Sequence, residues 1–160
     1  MARVESILVV RRSVYIRAAL ARVWQEFTTF ERMNRWWGVV VGDPEAGSGC
    51  GQRLVKYEPY EGGSIEMEVM MGGKPMRYGG KIVTFRSEEE LTFESDWNPN
   101  QGWVKPTLIT LRLKAAPGGT LVELLHHGFE HAGAPDDHAA YEGGWNMLQL
   151  NALKQAAEAR

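Results

Sequence analysis

From Asp136 to Arg160 the chain has no proline inside, opens on Pro135-Asp136-Asp137, and continues in good helix formers to its end. That is the pattern of one long helix. At helical spacing Tyr141, Trp145, Leu148, Ala152, Ala156 and Ala159 fall on a single stripe, with the large side chains in its first half and only alanines in its second. A helix with one apolar stripe must lay that stripe against something, and what precedes it is mostly strand-like. The functional question is whether helix and sheet meet tightly or keep a space between them.

Ile7 to Ile16 reads as a first strand, interrupted by Arg11 and Arg12, which predicts a bend or an edge position. From Ala18 the period changes: Leu20, Val23, Trp24 and Phe27 recur at helical spacing as far as Thr28-Thr29. A second short helix, Phe30 to Trp37, carries Met33, Trp36 and Trp37. The glycine-rich loop Gly42 to Gly51 closes that region. A meander follows, with strands predicted at Gln52–Tyr57, Ser64–Met71, Arg77–Phe85, Leu91–Trp97, Thr107–Lys114 and Thr120–His127. Ile65, Met67 and Val69 alternate against Glu66 and Glu68, the period of a half-buried strand. Gly72-Gly73 and Pro117-Gly118-Gly119 supply hairpin turns. Residues 1–160 therefore read as one α+β domain: a curved antiparallel sheet around a long C-terminal helix, with two short helices after the first strand.

Charge and cysteine content narrow the classes of function. A net charge of −2 gives no general attraction to nucleic acid or anionic membrane. The single cysteine, Cys50, excludes an intramolecular disulfide and fits a reducing compartment, so a cytoplasmic protein is expected. The apolar run Ile7–Val10 is too short for a signal peptide, and no stretch is long enough to span a bilayer.

Several short segments in this order resemble the helix-grip superfamily called START-like or SRPBCC, and within it the AHSA-type branch named after the activator of a heat-shock ATPase. They are Ile16-Arg17-Ala18 with Val23-Trp24, Arg35-Trp36-Trp37, Leu91-Thr92-Phe93 ending in Trp97, Gly119 to Leu124, His126-x-Gly128-Phe129, and Gly144-Trp145. The resemblance covers nearly the whole chain. It implies a sheet wrapped around the long helix with an elongated pocket for a lipophilic ligand between them. It implies no single activity, because members include carriers, cyclases, receptors and co-chaperone domains. The chain departs from the family at Ala19, where a proline is usual, and at Gln149 and Ala152, where large aliphatics are common. The latter pair implies a roomier or more polar interior.

Within that frame Trp37, Met67, Phe93, Trp97, Trp145 and Leu148 are the expected apolar wall, and Tyr78, His126 and Gln149 the polar anchors. The same aromatics would also serve as a solid core, and His126 as a core histidine satisfied by a neighbour. The histidines His126, His127, His131 and His138 do not converge as metal ligands must, since His126 and His127 point to opposite faces of a strand. No metal and no cofactor is expected. By the same alternation Glu123 and Asp96 face away from the pocket, leaving no carboxylate to orient a catalytic histidine.

The expected partner is a small hydrophobic or amphipathic molecule, held by a carrier, sensor or sequestering protein. A cyclase, dehydratase or hydrolase acting on an aromatic or polyketide-like substrate is the alternative. A module stimulating a heat-shock ATPase ranks third, because the additional N-terminal domain of the family's namesake has no counterpart here. The arginines Arg11, Arg12, Arg22, Arg32 and Arg35 read as a solvated face. Met147, Leu150 and Leu153 fall off the main stripe of the helix, which predicts a homodimer contact through that side.

Overall fold

The computed structural model describes residues 9–38, 40–41, 50–71, 74–95, 105–129 and 147–159. Along the chain run β1 (Val10–Ile16), α1 (Leu20–Gln25), α2 (Phe30–Trp37), β2 (Val40–Val41), β3 (Cys50–Tyr57), β4 (Ser64–Met71), β5 (Lys74–Arg86), β6 (Glu90–Glu94), β7 (Leu108–Ala116), β8 (Gly119–His127) and α3 (Leu148–Glu158). Among the described residues the strands make one eight-stranded sheet in the order β1-β8-β7-β6-β5-β4-β3-β2. Every neighbouring pair is antiparallel. This is the α+β helix-grip architecture expected from the sequence. The two-residue β2 is an addition that no periodicity could signal. The part of the long helix expected over 136–146, and the turn expected at Gly72-Gly73, lie outside the described residues.

The sheet curls because β5 serves two partners in succession. Its first part pairs with β4 as far as Lys81, opposite Ser64, and its second part pairs with β6 from Ile82, opposite Phe93. The change of direction falls at Gly79, whose φ of +137° favours glycine. A Cβ there would lie 2.1 Å from the Ile65 carbonyl oxygen, so neighbouring backbone also closes the position to any side chain.

The concave face holds the core. An unbroken chain of aromatic rings crosses it, from Phe85 on β5 through Trp24, Phe27, Trp36 and Trp37 to Phe93 on β6. Centroids in this chain are 5.0 to 5.8 Å apart, a spacing at which each contact adds about 0.5–1.5 kcal/mol beyond area burial. α2 starts cleanly because the Thr29 hydroxyl accepts the Arg32 N–H at 3.2 Å. It is tied to β3 by Asn34, whose Oδ1 accepts the Leu54 N–H at 2.7 Å.

The structure corrects the face that α3 turns inward. Leu150 and Leu153 are 1% and 0% exposed, whereas Leu148 is 39% exposed. The inward stripe is Leu150, Leu153, Ala156 and Ala157, and Met147 packs against the same core. The residues expected to meet a second subunit are thus spent on the chain's own sheet and helices, and cannot be a homodimer contact. Lys154 flanks the stripe and donates to the Tyr15 carbonyl at 3.0 Å, capping an edge position of β1. The same ammonium, with the Arg17 backbone N–H, holds the Glu158 carboxyl below the ordinary carboxylate range. α3 therefore runs in the same direction as β1.

Arg22 and Arg32 also depart from the sequence expectation. Both converge on Oε1 of Glu26, at 2.7 and 2.9 Å, and the Glu26 side chain is 0% exposed. Arg22 donates in addition to the Ala156 carbonyl of α3 at 2.9 Å, and the Trp36 indole donates to the Glu26 carbonyl at 2.9 Å. One buried carboxylate thus links all three helices. Replacing Glu26 by Gln is expected to lower the unfolding free energy by about 2–3 kcal/mol, somewhat less than breaking a fully buried pair because both arginines reach water. Urea unfolding followed by tryptophan fluorescence measures this, and a change below about 0.5 kcal/mol would mean the node carries no such burden.

Candidate functional site

Strand register brings Met67, Tyr78, Phe93 and His126, four of the nine expected site residues, onto one face. Ile82, Phe93, Ile109, His126 and Val10 form a single row across five strands of the concave side. Phe93 and His126 stand two strands apart in that row, about 10 Å between backbones. A second row pairs Leu54, Met67 and Tyr78, and a third pairs Gln52, Val69 and Met76. Trp37 joins the first row to the others. Its ring meets Phe93 edge-on at 5.8 Å, and its carbonyl accepts the Gln52 amide N–H at 3.1 Å. Gln52 Oε1 in turn accepts the Tyr78 hydroxyl proton through a short hydrogen bond.

Trp37, Met67, Phe93 and His126 are buried, and Tyr78 is half-buried. His126 Nε2 lies 2.8 Å from the Thr107 hydroxyl, and its ring stacks at an angle on Phe129, 4.8 Å away. Gln149 is half-buried in the first turn of α3. It shares a face with Leu153 and Ala156, four and seven positions on, both of which are buried. Its Oε1 is buried and has no hydrogen-bond partner among the described residues. Leu148 points the other way, toward solvent. Trp97 and Trp145 lie outside the described residues. Gln52 and Thr107 belong to the site and were missed in the sequence. Alternation puts Gln52 on the face of Leu54, but only the register shows it within reach of Tyr78.

Five residues separate Gln149 from Lys154, about 7.5 Å along the helix axis, or some two residues of strand. Since Lys154 is level with Tyr15, Gln149 is level with Ser13 and Glu123, between the inward rows of Arg12 with Leu124 and of Val14 with Val122. The end of the interface toward α1 and α2 is filled by the aromatic chain. An open groove of about 540 Å³ lies on the outward side of α3, between Asn151, Lys154, Gln155 and Glu158, and has no share in the interior.

His127 belongs to the opposite, convex face and to a different construction. Its Nε2 lies 2.9 Å from the Thr110 hydroxyl, which lies 2.8 Å from the Thr92 hydroxyl, which donates to Glu90 Oε2 at 3.0 Å. Glu90 also faces Arg112 at 3.5 Å, and an ionised carboxylate only accepts. Thr92 must then donate to Glu90, Thr110 to Thr92, and His127 to Thr110. Among the described residues no three His, Cys, Asp or Glu side chains gather as a metal site would require.

A family model described as Activator of Hsp90 ATPase homolog 1-like protein matches residues 17–158. A crystal structure from Nitrosomonas europaea is 13% identical, with 98% of each chain covered and a TM-score of 0.70. One from Chromobacterium violaceum is 18% identical over 95% of this chain and 98% of its own, with a TM-score of 0.68. The solution structure of an Aha1 dimer from Colwellia psychrerythraea is 19% identical over 94% and 96%, with a TM-score of 0.56. At these identities the likeness is one of fold. Comparison with curated proteins gives no match. No helix among the described residues is long and apolar enough to cross a membrane.

The convex ladder fixes one proton that can be observed directly. Neutral His127 is expected in the Nε2–H tautomer, read from long-range proton–nitrogen correlations of the ring, and Thr110→Val should abolish that preference. A dominant Nδ1–H form in the wild-type protein would contradict the direction assigned to the ladder.

Proposed function

The chain belongs to the family of activator of Hsp90 ATPase homolog 1-like proteins, and from that premise we propose that it binds a small hydrophobic or amphipathic molecule between the concave face of the sheet and α3. It acts as a carrier, sensor or sequestering protein. Trp37, Met67 and Phe93 supply the wall, and Tyr78, His126 and Gln149 the polar points. The observation that supports this most is the buried Oε1 of Gln149, an acceptor without a donor among the described residues. A buried polar atom left unsatisfied costs about 1–3 kcal/mol. A helix needed only to plug a core would carry an aliphatic side chain at this inward position.

The catalytic alternative has less support. It needs an inward titratable group presented to the guest, and His126 and Tyr78 are engaged by Thr107 and Gln52. The Colwellia psychrerythraea relative was solved as a dimer. A pair of the present chains would have to meet through a surface other than that of Leu150 and Leu153.

Protein purified from its own host and examined by native mass spectrometry is expected to carry a small molecule at one per chain, released on denaturation. The emptied protein should then take up the neutral probe N-phenyl-1-naphthylamine saturably, with a fluorescence increase. Bare protein together with no saturable uptake of the probe would dispose of the binding function.

A further inference from the structure

Resting on that binding function, we propose that the guest is a neutral molecule presenting a hydroxyl or N–H group, an alcohol, phenol or amide, and that this group donates to Gln149 Oε1; a carboxylate or phosphate is not the ligand. The argument is an inventory of polar groups on the concave wall. Tyr78 donates to Gln52, and Gln52 donates to the Trp37 carbonyl. His126 is bonded to Thr107. The Thr120 hydroxyl, on the same face, donates to the Ala18 carbonyl at 2.9 Å. Each of these groups is engaged by a protein neighbour, whereas Gln149 Oε1 is a buried acceptor with no hydrogen-bond partner among the described residues.

An anion entering here would find an oxygen facing it. Of the described cations on the concave face, Arg12 stands nearest to the level of Gln149, one residue from Ser13. Arg12, on the edge strand opposite Leu124, is turned back on its own strand, with Nη1 donating to the Arg11 carbonyl at 2.7 Å. Lys74 is exposed at the start of β5, far from α3. Desolvating a carboxylate against an apolar wall without a cation is strongly unfavourable. A neutral donor instead satisfies Gln149 Oε1. The aromatic surface of Trp37 and Phe93 lines the same concave face, so an aromatic body carrying such a donor suits the site.

Three probes of one size separate the terms: naphthalene, 2-naphthol and 2-naphthoate, each titrated against the emptied full chain and its Gln149→Leu variant. In the wild-type protein 2-naphthol is expected to bind about 10-fold tighter than naphthalene, the ratio one hydrogen bond of this kind supplies, and 2-naphthoate more weakly than either. In Gln149→Leu the ratio of 2-naphthol to naphthalene affinity should fall to about one. Tightest binding by 2-naphthoate, or a 2-naphthol preference that survives in Gln149→Leu, would overturn the assignment while leaving the binding function in place. If none of the three binds the wild-type protein, both fall. A Gln149→Met variant repeats the test should the leucine disturb folding, as judged by its thermal unfolding.

Discussion

The carboxylate of Glu26 is the point on which the helical layer depends. α1 and α2 have six and eight residues, far below the length at which a helix stands alone in water. Their positions must come from tertiary contacts, and Glu26 gathers several of these in one place. Arg22 reaches it from α1, Arg32 from α2, and Arg22 continues to the last turns of α3. The adjoining Trp36 indole bonds the Glu26 carbonyl, and the Tyr57 hydroxyl, from β3, bonds the next carbonyl, that of Phe27, at 2.6 Å. Trp37 follows Trp36 directly, so the node also decides where the ring that meets Phe93 stands. The second oxygen of Glu26 is buried with no partner among the described residues. The arrangement is therefore one of geometry more than of maximal stability, as buried ion clusters commonly are.

Most of the sheet was legible in the sequence because its signal has period two. Ile65, Met67 and Val69 alternate with glutamates, Leu91 and Phe93 with Thr92 and Glu94, and both patterns became strands in the expected places. The face of α3 was misjudged for a definable reason. Tyr141, Trp145 and Leu148 make one stripe, Met147, Leu150 and Leu153 another, and the alanines Ala152, Ala156 and Ala157 are small enough to suit either. With two apolar arcs so close around the wheel, periodicity alone does not choose between them. Packing chose Leu150 and Leu153, and Leu148 went to the outside. Glu26 was passed over because a glutamate among arginines looks like an exposed surface, and only tertiary closure removes it from water. Gln52 and Thr107 were invisible for a related cause: their roles exist only once the register sets them beside Tyr78 and His126.

The two adjacent histidines show how far alternation carries. It sends His126 to the concave face and His127 to the convex one, and the structure agrees on both. What alternation does not give is the company each keeps. His126 meets a threonine from the segment before β7 and the ring of Phe129, whereas His127 heads a ladder that crosses three strands.

That ladder and the concave wall treat polar groups in opposite ways, and the difference supports the concave wall as the proposed place of recognition. On the convex side each donor has an acceptor in sequence, from the imidazole through two hydroxyls to a carboxylate, and the series ends on a charge that faces an arginine. Nothing in that series asks for a further molecule. On the concave side the polar groups are few, set among tryptophan, phenylalanine and methionine, and Tyr78, Gln52, His126 and Thr120 are paired locally. Gln149 Oε1, in the first turn of α3, has no such partner among the described residues. An open acceptor at the surface would be met by water at no expense. The same acceptor, buried on the inward side of α3, is what the proposed guest would satisfy.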